Sequence, residues 1–317
     1  MKDSSLTLQE LLGIEHPIIV APMFLVSNVE MVKAVMQKNV AGCIPALNYR
    51  TIPELKKAIR ELQKAKTPKG AFGINIIVNK SNLKYKEQFD ACCEVGVDFI
   101  ITSLGNPEEI IRKAHQKNIK VFCDVVSAAH AKKAVDLGCD ALIAVNNKAG
   151  GHRGDLTPEE LIPQLVKSCN IPVISAGGVG NKKELNAMLD LGAAGVSIGS
   201  PFIASEEANI SKEYKQACVD YGAEDIVVTQ KISGTPCTVI NTPYVQKVGT
   251  KETWLEKLLL RNKRMKKWVK LVRYLKGSSD VAQAAKKVTY KTVWVAGPSI
   301  GHTKKIASAK TIVERFL

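Results

Sequence analysis

A histidine lies in the glycine-rich segment Lys148-Ala-Gly-Gly-His152-Arg-Gly154, directly after a short apolar run. Histidine changes protonation near neutral pH, so at such a place it can donate, accept or shuttle a proton. The alternative is a loop histidine that is bonded to backbone. Arg153 beside it either holds an anionic substrate group or points to solvent. His152 is therefore the candidate catalytic residue.

Two further glycine-bearing segments follow apolar runs later in the chain, Ala176-Gly-Gly-Val-Gly180 and Gly199-Ser200-Pro201. Glycines let backbone amides approach an anion closely, and a helix N-terminus offers unpaired donors to it. A helix-start signal, Asn181-Lys-Lys-Glu184, follows the first of these segments. The pair predicts a phosphate site, and the alternative is two tight turns without a ligand.

Polar or adaptable side chains mark the ends of three other runs. Ala21-Pro22-Met23-Phe24 combines a stiff turn with side chains that suit either a flat aromatic ring or core packing. Asn75 stands within an apolar run, where a buried amide needs partners, either a ligand or backbone groups. Asp124, at the end of its run, is a candidate of the same kind.

Eight apolar runs carry these candidates and recur at intervals that suit one strand and one helix each. They are residues 17–21, 41–46, 71–78, 98–103, 120–125, 140–145, 172–176 and 195–199. Their continuous apolar character is typical of strands buried on both faces of a parallel sheet. Capping boxes are predicted to begin helices at Ser27, Thr51 and Thr157, and Asn181 provides the asparagine version.

Eight such units form either a closed barrel or a long doubly wound sheet. The count of eight, and the lack of a G-x-G-x-x-G motif after the first run, favour an α/β fold with a (β/α)8 TIM barrel. We assign residues 1–221 and 291–317 to the barrel and residues 222–290 to a smaller, mostly helical appended domain. In a barrel the site lies at the carboxyl ends of the strands, where all the candidates fall.

Composition excludes several classes of protein. Of 317 residues 45% are hydrophobic, which is ordinary for a globular chain and excludes extensive disorder. The aromatic residues number 17, few for a protein that stacks on nucleobases, and no nucleic-acid motif is present, so nucleic acid is an improbable partner. No uncharged run exceeds 15 residues, and the N-terminus lacks a signal-peptide core, so we expect a cytoplasmic protein without a membrane span.

The charge distribution leaves the binding partner open, and the cysteines and histidines do not indicate a metal site. The formal net charge is +15, and residues 261–276 hold eight Lys or Arg and no acidic residue. Such a segment is either a solvated helix face or a docking surface for an acidic partner. The eight cysteines include no C-x-x-C pair and the five histidines do not cluster, so a zinc site is not expected. A homo-oligomer is left open.

The chain resembles the nitronate monooxygenase family, formerly called 2-nitropropane dioxygenases. The matching segments are HPIIVAPM (16–23), AFGINII (71–77), NKAGGHRG (147–154), PVISAGGVG (172–180) and IGSPFIASEEA (198–208). The tail AGPSIGHTKKI (296–306) matches less well. The resemblance implies a TIM-barrel enzyme that carries FMN at the barrel mouth beside a second, helical domain.

The resemblance also implies roles for the candidate residues. His152 would be the catalytic base, and the FMN phosphate would lie on Gly178 to Gly180 and on Gly199 and Ser200. The full set of predicted cofactor-binding residues is Ala21, Pro22, Met23, Asn75, Asp124, Gly151, Ala176, Gly177, Gly178, Gly180, Gly199 and Ser200. The implied reaction is oxidation of a small anionic alkyl nitronate by O2, giving a carbonyl compound and nitrite.

Two departures leave the substrate open. Pro298 stands where family members often carry glutamine, and Lys148 is not the residue expected before the AGGH sequence. The alternative enzyme is a flavin-dependent enoyl-ACP reductase, which uses NAD(P)H and docks an acidic carrier protein. A flavin-binding protein without catalysis is disfavoured by His152. Nucleotide-oxidising barrels use a loop cysteine where this chain has His152.

Overall fold

The computed structural model describes residues 6–79, 82–231, 235–250 and 293–317, and eight parallel strands close into a barrel. The barrel strands are β1 (Ile18–Val20), β2 (Ala41–Pro45), β3 (Ala71–Val78), β4 (Phe99–Gly105), β5 (Lys120–Val125), β6 (Ala141–Val145), β8 (Val173–Ala176) and β9 (Gly195–Ile198), while β7 (Gly151–His152) lies outside the barrel. Ile18 of β1 pairs with Val196 of β9 and closes the ring. The predicted (β/α)8 barrel is confirmed, and the doubly wound alternative is wrong.

Seven of the described helices alternate with the barrel strands, one precedes the first strand, and three follow the last. They are α1 (Leu8–Leu12), α2 (Val29–Met36), α3 (Ile52–Lys64), α4 (Tyr85–Val95), α5 (Glu108–His115), α6 (Ala128–Asp136), α7 (Pro158–Ser168), α8 (Lys182–Asp190), α9 (Lys212–Asp220), α10 (Pro243–Val248) and α11 (Ala309–Glu314). In α3 the buried residues recur at helical spacing, from Leu55 through Ile59 to Leu62. Among the described residues, no helix combines the length and the apolar character that crossing a bilayer requires.

Local capping explains where several helices begin. Thr51 and Thr157 begin α3 and α7 with complete capping boxes, as predicted. The prediction for Ser27 is wrong by one residue, because Asn28 is the N-cap of α2 and accepts from the amide of Met31 at 2.9 Å. Ser27 is instead fully buried, which frees it for a different role at the site.

The barrel interior is filled by side chains rather than open. The rings of Phe99 and Phe122 stack with centroids 5.1 Å apart, and Ile19, Ile143 and Ile174 pack in the same cluster. Gly73 on β3 leaves room for this stack, because a Cβ there would lie 2.4 Å from Cε2 of Phe99. The packed interior forms the floor on which the polar residues of the barrel mouth stand.

A small antiparallel sheet covers part of the barrel mouth. β10 (Ile226–Thr229) pairs with β11 (Cys237–Ile240), and β11 pairs in turn with the short β7. Both β10 and β11 fall in the segment 222–290 that was predicted to be a mostly helical appendage. The described part of that segment holds these two strands together with the helix α10. Its remainder, with the basic segment 261–276, lies outside the described residues, so the domain division stays a prediction.

The C-terminal tail returns to the barrel. Ala307 bridges to Ser205, and Phe316 stacks on Phe202 with ring centroids 6.4 Å apart. Val295 bridges to Val239 of β11, so the tail also supports the small sheet. The described tail therefore packs against both the barrel and the segment that covers its mouth.

We expect Gly73→Ala to lower the free energy of unfolding by about 1–3 kcal/mol, because the new methyl group would overlap the Phe99 ring. Urea unfolding followed by circular dichroism measures the change. The double variant Gly73→Ala/Phe99→Leu should be destabilised by less than the sum of the two single variants, because leucine leaves space for the new methyl group. Strict additivity of the two variants would contradict this packing argument.

Candidate active site

His152 lies at the barrel mouth on β7 rather than in a free loop. Its backbone pairs with Cys237 of β11. The imidazole edge reaches solvent, yet the surrounding protein desolvates the ring and lowers the pKa of His152 below its ordinary value near 6.5. The side chain is therefore predominantly neutral at pH 7, which is the form that accepts a proton.

A threonine that sequence analysis missed fixes the His152 segment. Thr238 on β11 is buried, and its Oγ1 donates to the carbonyl oxygen of Ala149 at 2.7 Å and that of Gly151 at 3.3 Å. The two partners flank Gly150, so one hydroxyl holds the glycine pair in place. No local sequence signal marks Thr238, because it lies more than 80 residues from the segment that it holds.

Arg153 completes the same segment from within. Its Nη1 donates to the carbonyl oxygens of Gly154, at 3.0 Å, and Asn147, at 3.5 Å. Of the two roles left open, the structure does not show a solvent-facing side chain, since Nε of Arg153 is buried, and the substrate contact stays a prediction. Arg153 braces the backbone that carries His152.

Three polar side chains on adjacent strands form a hydrogen-bonded row at the inner mouth. Nδ2 of Asn75 donates to Oγ of Ser103 at 2.7 Å and to the carbonyl oxygen of Ile101 at 3.1 Å. Oγ of Ser103 donates to Oδ2 of Asp124 at 2.5 Å. Asn75 and Asp124 were predicted site residues, and Ser103 between them was missed because it ends an apolar run without any motif.

Burial changes the ionisation of the row. Desolvation raises the pKa of Asp124 to about 6, and the hydrogen bond from Ser103 opposes part of that shift. The amide Oδ1 of Asn75 accepts no hydrogen bond from the described residues, so it is available to a donor on a ligand. The row thus offers one acceptor and one carboxyl group that titrates near neutrality.

The turn at Ala21, Pro22 and Met23 is held by the buried Ser27. Its Oγ donates to the carbonyl oxygen of Ala21 at 2.7 Å and accepts from the amide of Met23 at 3.0 Å. Sδ of Met23 lies 3.4 Å from the position that a Cβ on Gly199 would take. The structure therefore brings the first and the last strand ends together.

The same turn contains a strained residue. Leu25 has a φ of 62°, a left-handed conformation that leucine rarely adopts. Oδ1 of Asn48 accepts from its amide at 2.9 Å, and Nδ2 of Asn48 donates to the carbonyl oxygen of Ser27 at 2.8 Å. Side chains outside the turn thus compensate for the unfavourable backbone.

The glycine turn after β8 approaches the His152 segment closely. Gly177 and Gly178 have φ values of 114° and 79°, and a Cβ on Gly177 would lie 2.4 Å from the amide nitrogen of Ala149. Asn146, fully buried, donates to the carbonyl oxygen of Gly177 at 3.0 Å and accepts from the amide of Lys148 at 2.8 Å. Asn146 was not singled out from the sequence, although it ties the two predicted loops together.

The predicted phosphate donors divide into two groups. The amides of Gly178, Val179 and Gly199 donate to no acceptor among the described residues. The amide of Gly180 instead donates to Oε2 of Glu184 at 2.7 Å. Oγ of Ser200 accepts from the amide of Gly297 at 2.8 Å, which leaves its own proton to donate elsewhere.

The two departures from the family pattern lie beside these donors. The stem of Lys148 crosses Gly178, since a Cβ on Gly178 would meet its Cδ at 2.8 Å, and Nζ of Lys148 lies 3.5 Å from Oε1 of Glu159. Pro298 begins a short 3-10 turn in the tail, directly after Gly297. Both residues therefore border the predicted phosphate turn.

The site gathers the predicted residues at one end of the barrel but depends on glycines to do so. A Cβ on Gly150 would lie 2.7 Å from Oγ of Ser200 and 2.9 Å from the amide of Gly297. Ala176, at the end of β8, accepts from the amide of Asn146 at 3.1 Å. Three backbone segments thus meet at distances that side chains would forbid.

We expect Asp124→Asn to change how stability depends on pH. The folded pKa of Asp124, about 6, lies above the value of about 3.9 in an unfolded chain, so its favourable contribution is present below pH 4 and lost as the pH rises through 6. Asparagine does not titrate and still accepts from Ser103. Relative to wild type, the variant should gain roughly 2–3 kcal/mol in unfolding free energy between pH 4 and pH 7.

Urea unfolding of both proteins at several pH values measures that difference. Glu159→Gln, which removes an exposed carboxylate from the same end of the barrel, serves as the control variant. A difference between Asp124→Asn and wild type that stays constant with pH would show that Asp124 ionises normally.

Comparisons with known proteins agree with this architecture. A sequence model of the nitronate monooxygenase family matches residues 5–317. The chain is 35% identical over 178 residues to a probable nitronate monooxygenase from Staphylococcus saprophyticus, covering 52% of this chain and 50% of that one. The structure of FabK from Thermotoga maritima superposes with a TM-score of 0.84 at 29% identity, covering 98% of this chain and 94% of that one.

A third relative differs in its named substrate. The chain is 31% identical over 238 residues to a (3aS,4S,5R,7aS)-5-hydroxy-7a-methyl-1-oxo-octahydro-1H-indene-4-carboxyl-CoA dehydrogenase from Rhodococcus jostii, covering 75% of this chain and 66% of the relative's length. The names of the relatives thus differ in reaction, while the family match extends over nearly the whole chain. The protein belongs to the nitronate monooxygenase family and is a flavin-dependent oxidoreductase.

Proposed function

We propose that this protein is an FMN-dependent enzyme that oxidises alkyl nitronates with O2 to a carbonyl compound and nitrite. The observation that carries the proposal is a desolvated His152 at the barrel mouth, on a segment held by Thr238, whose lowered pKa favours the neutral imidazole. A neutral imidazole can accept the proton that a nitroalkane loses when it becomes an anionic nitronate. The family match supports the same reaction.

The residues at the mouth fit a flavin mononucleotide. The left-handed Gly177 and Gly178 bring free amides to one place, as a phosphate requires, and the amide of Gly199 is free beside them. Ser200 adds a hydroxyl donor. Gly180 was predicted to donate its amide to the phosphate, but that amide donates to Glu184, so we propose that Gly180 only shapes the turn.

We assign the remaining predicted cofactor contacts to the isoalloxazine ring of the flavin. Asn75 offers a free amide oxygen, and Asp124 offers a carboxyl group. Ala21, Pro22 and Met23 form a fixed turn that can meet a flat ring with backbone atoms. Ala176 and Gly151 border the same space from β8 and β7. We propose all of them as contacts of the flavin.

The chain's own residues would manage the proton and the charge. Nε2 or Nδ1 of His152, when neutral, accepts the proton from the carbon beside the nitro group, and the imidazolium so formed then stabilises the nitronate. When the substrate already is a nitronate, a protonated His152 binds it. The bound flavin supplies the one-electron chemistry and the transfer to oxygen. Thr238 and Arg153 keep His152 in place throughout.

A second candidate is the reduction of an enoyl thioester with NAD(P)H. Three apolar side chains near the barrel mouth are exposed: Phe24 (41%), Leu83 (90%) and Leu104 (63%). Exposed apolar residues at the edge of a site suit a long apolar substrate. The likeness to a carboxyl-CoA dehydrogenase supports a thioester substrate.

We expect His152→Ala to lower kcat/KM for the neutral nitroalkane 2-nitropropane at least 100-fold while FMN remains bound, because the variant removes the proton acceptor and leaves the phosphate turn intact. Oxygen consumption without NAD(P)H measures the reaction, and visible absorbance measures the flavin. His130→Ala, a surface histidine on α6, is the matched control and should retain activity.

The same assay separates the two candidates. Oxygen use with the nitronate supports the monooxygenase, whereas rapid anaerobic NAD(P)H oxidation with an enoyl thioester supports the reductase. Undiminished turnover of 2-nitropropane by His152→Ala would show that the catalytic assignment is wrong.

We expect Gly178→Ala to weaken FMN binding by at least tenfold, because the methyl group would strain the backbone, crowd Lys148 and intrude on the free amides. Fluorescence titration of FMN into the apoprotein measures the affinity. Gly138→Ala is the control, since Gly138 has a similar φ of 86° but lies away from the mouth, after α6. Equal losses of FMN affinity in the two variants would show that the Gly178→Ala effect comes from general destabilisation and not from the phosphate turn.

A further inference from the structure

A cavity of about 630 Å³ borders the predicted phosphate turn. Lys148 and Gly178 line it on the barrel side, residues 219–224 line it at the end of α9, and residues 298, 299 and 301–304 of the tail line it as well. The tail joins the two other parts, because Gly301 approaches Ala223 while the ring of His302 approaches Gly180. The cavity is of a size that holds a cofactor fragment.

Cationic groups line part of this cavity. Nζ of Lys304 is exposed and donates to the carbonyl oxygen of Gly301 at 3.1 Å. Lys148 is the second cation, and its only ion-pair partner among the described residues is Glu159 at 3.5 Å. Both ammonium groups retain donors for a further acceptor, as a diphosphate would provide.

Acidic groups and an aromatic ring line the other part. Asp220 and the exposed Glu224 flank the half-buried Tyr221 along one short segment. Glu184, the third acid in the lining, is already bonded to the amide of Gly180 and to Nε2 of His302, at 2.7 and 2.9 Å. Oδ1 of Asp220 accepts from Nε2 of Gln216 at 2.7 Å, which leaves Oδ2 for a further donor. Carboxylate oxygens beside an aromatic ring suit ribose hydroxyls and a nucleobase.

We propose that this cavity binds the adenosine diphosphate part of a dinucleotide whose ribose carries no phosphate group. The diphosphate lies against Lys148 and Lys304, the ribose hydroxyls donate to Asp220 or Glu224, and the base packs on Tyr221. A ribose phosphate would meet these carboxylates and be repelled, so the phosphorylated dinucleotide and coenzyme A are disfavoured. The inference concerns a second site, and it holds for either reaction considered above.

The matched probes are ADP-ribose and 2′-phospho-ADP-ribose, titrated calorimetrically into the FMN-loaded protein. We expect ADP-ribose to bind at least tenfold more tightly than its phosphorylated analogue. Lys304→Ala should weaken ADP-ribose binding about tenfold, because it removes a charged hydrogen bond. Lys305→Ala is the matched control, since Lys305 is exposed beside Lys304 but does not line the cavity.

A second variant tests the ribose contact. Glu224→Gln should bring the affinity for the phosphorylated analogue closer to that for ADP-ribose, because a repelling charge is lost. Coenzyme A, added in a separate arm, should bind no better than the phosphorylated analogue.

Three results would overturn the proposal. They are the absence of ADP-ribose binding, equal losses in Lys304→Ala and Lys305→Ala, and release of FMN in proportion to the ADP-ribose bound. The last result would assign the cavity to the flavin's own site. None of these results depends on nitronate turnover, so a failed activity assay does not decide them.

Discussion

The close approach of three backbone segments at the carboxyl end of the barrel is the constraint on which the site depends. The His152 segment, the turn after β8 and the C-terminal tail meet where Gly150, Gly177 and Gly297 lie within contact distances that a Cβ would violate. Glycine is required there because each of the three positions has at least one backbone atom within 3 Å of the Cβ position, and backbone cannot move aside as a flexible side chain can. Everything proposed for the site, from the free amides to the position of the imidazole, follows from this contact.

Burial at the mouth acts on two ionisable groups in complementary ways. It lowers the pKa of His152 and raises that of Asp124, because in each case the charged form loses solvation. Burial therefore favours the neutral form of both groups.

The barrel by itself would leave His152 on an unsupported loop. The strand pairing with Cys237 and the hydroxyl of Thr238 come from the segment after α9, and the bridge between Val239 and Val295 joins that segment to the tail. This arrangement holds the His152 segment in a sheet. Lys148, one of the two residues that depart from the family pattern, lies against the predicted phosphate turn and also lines the cavity beside it.

The sequence predicted the eight strands, the closed barrel and the residues at the mouth. Continuous apolar runs, capping boxes such as those at Thr51 and Thr157, and glycines after strands are local signals, and each reflects an interaction among neighbours in the chain. The same signals placed Asn75 and Asp124 on the inner face. They misplaced the cap of α2, because Ser27 and Asn28 are both good caps and only burial of Ser27 distinguishes them.

Tertiary structure decided what joins those local elements. Thr238, Ser103 and Asn146 act on groups distant in sequence, so no pattern around them reveals their partners. The acceptors of Gly180 and Arg153 are likewise set by the folded structure: the amide of Gly180 donates to the Glu184 carboxylate, and Nη1 of Arg153 donates to the carbonyl oxygen of Gly154. Local sequence therefore determined the barrel and where its site lies, whereas long-range packing determined which groups at that site remain free to bind.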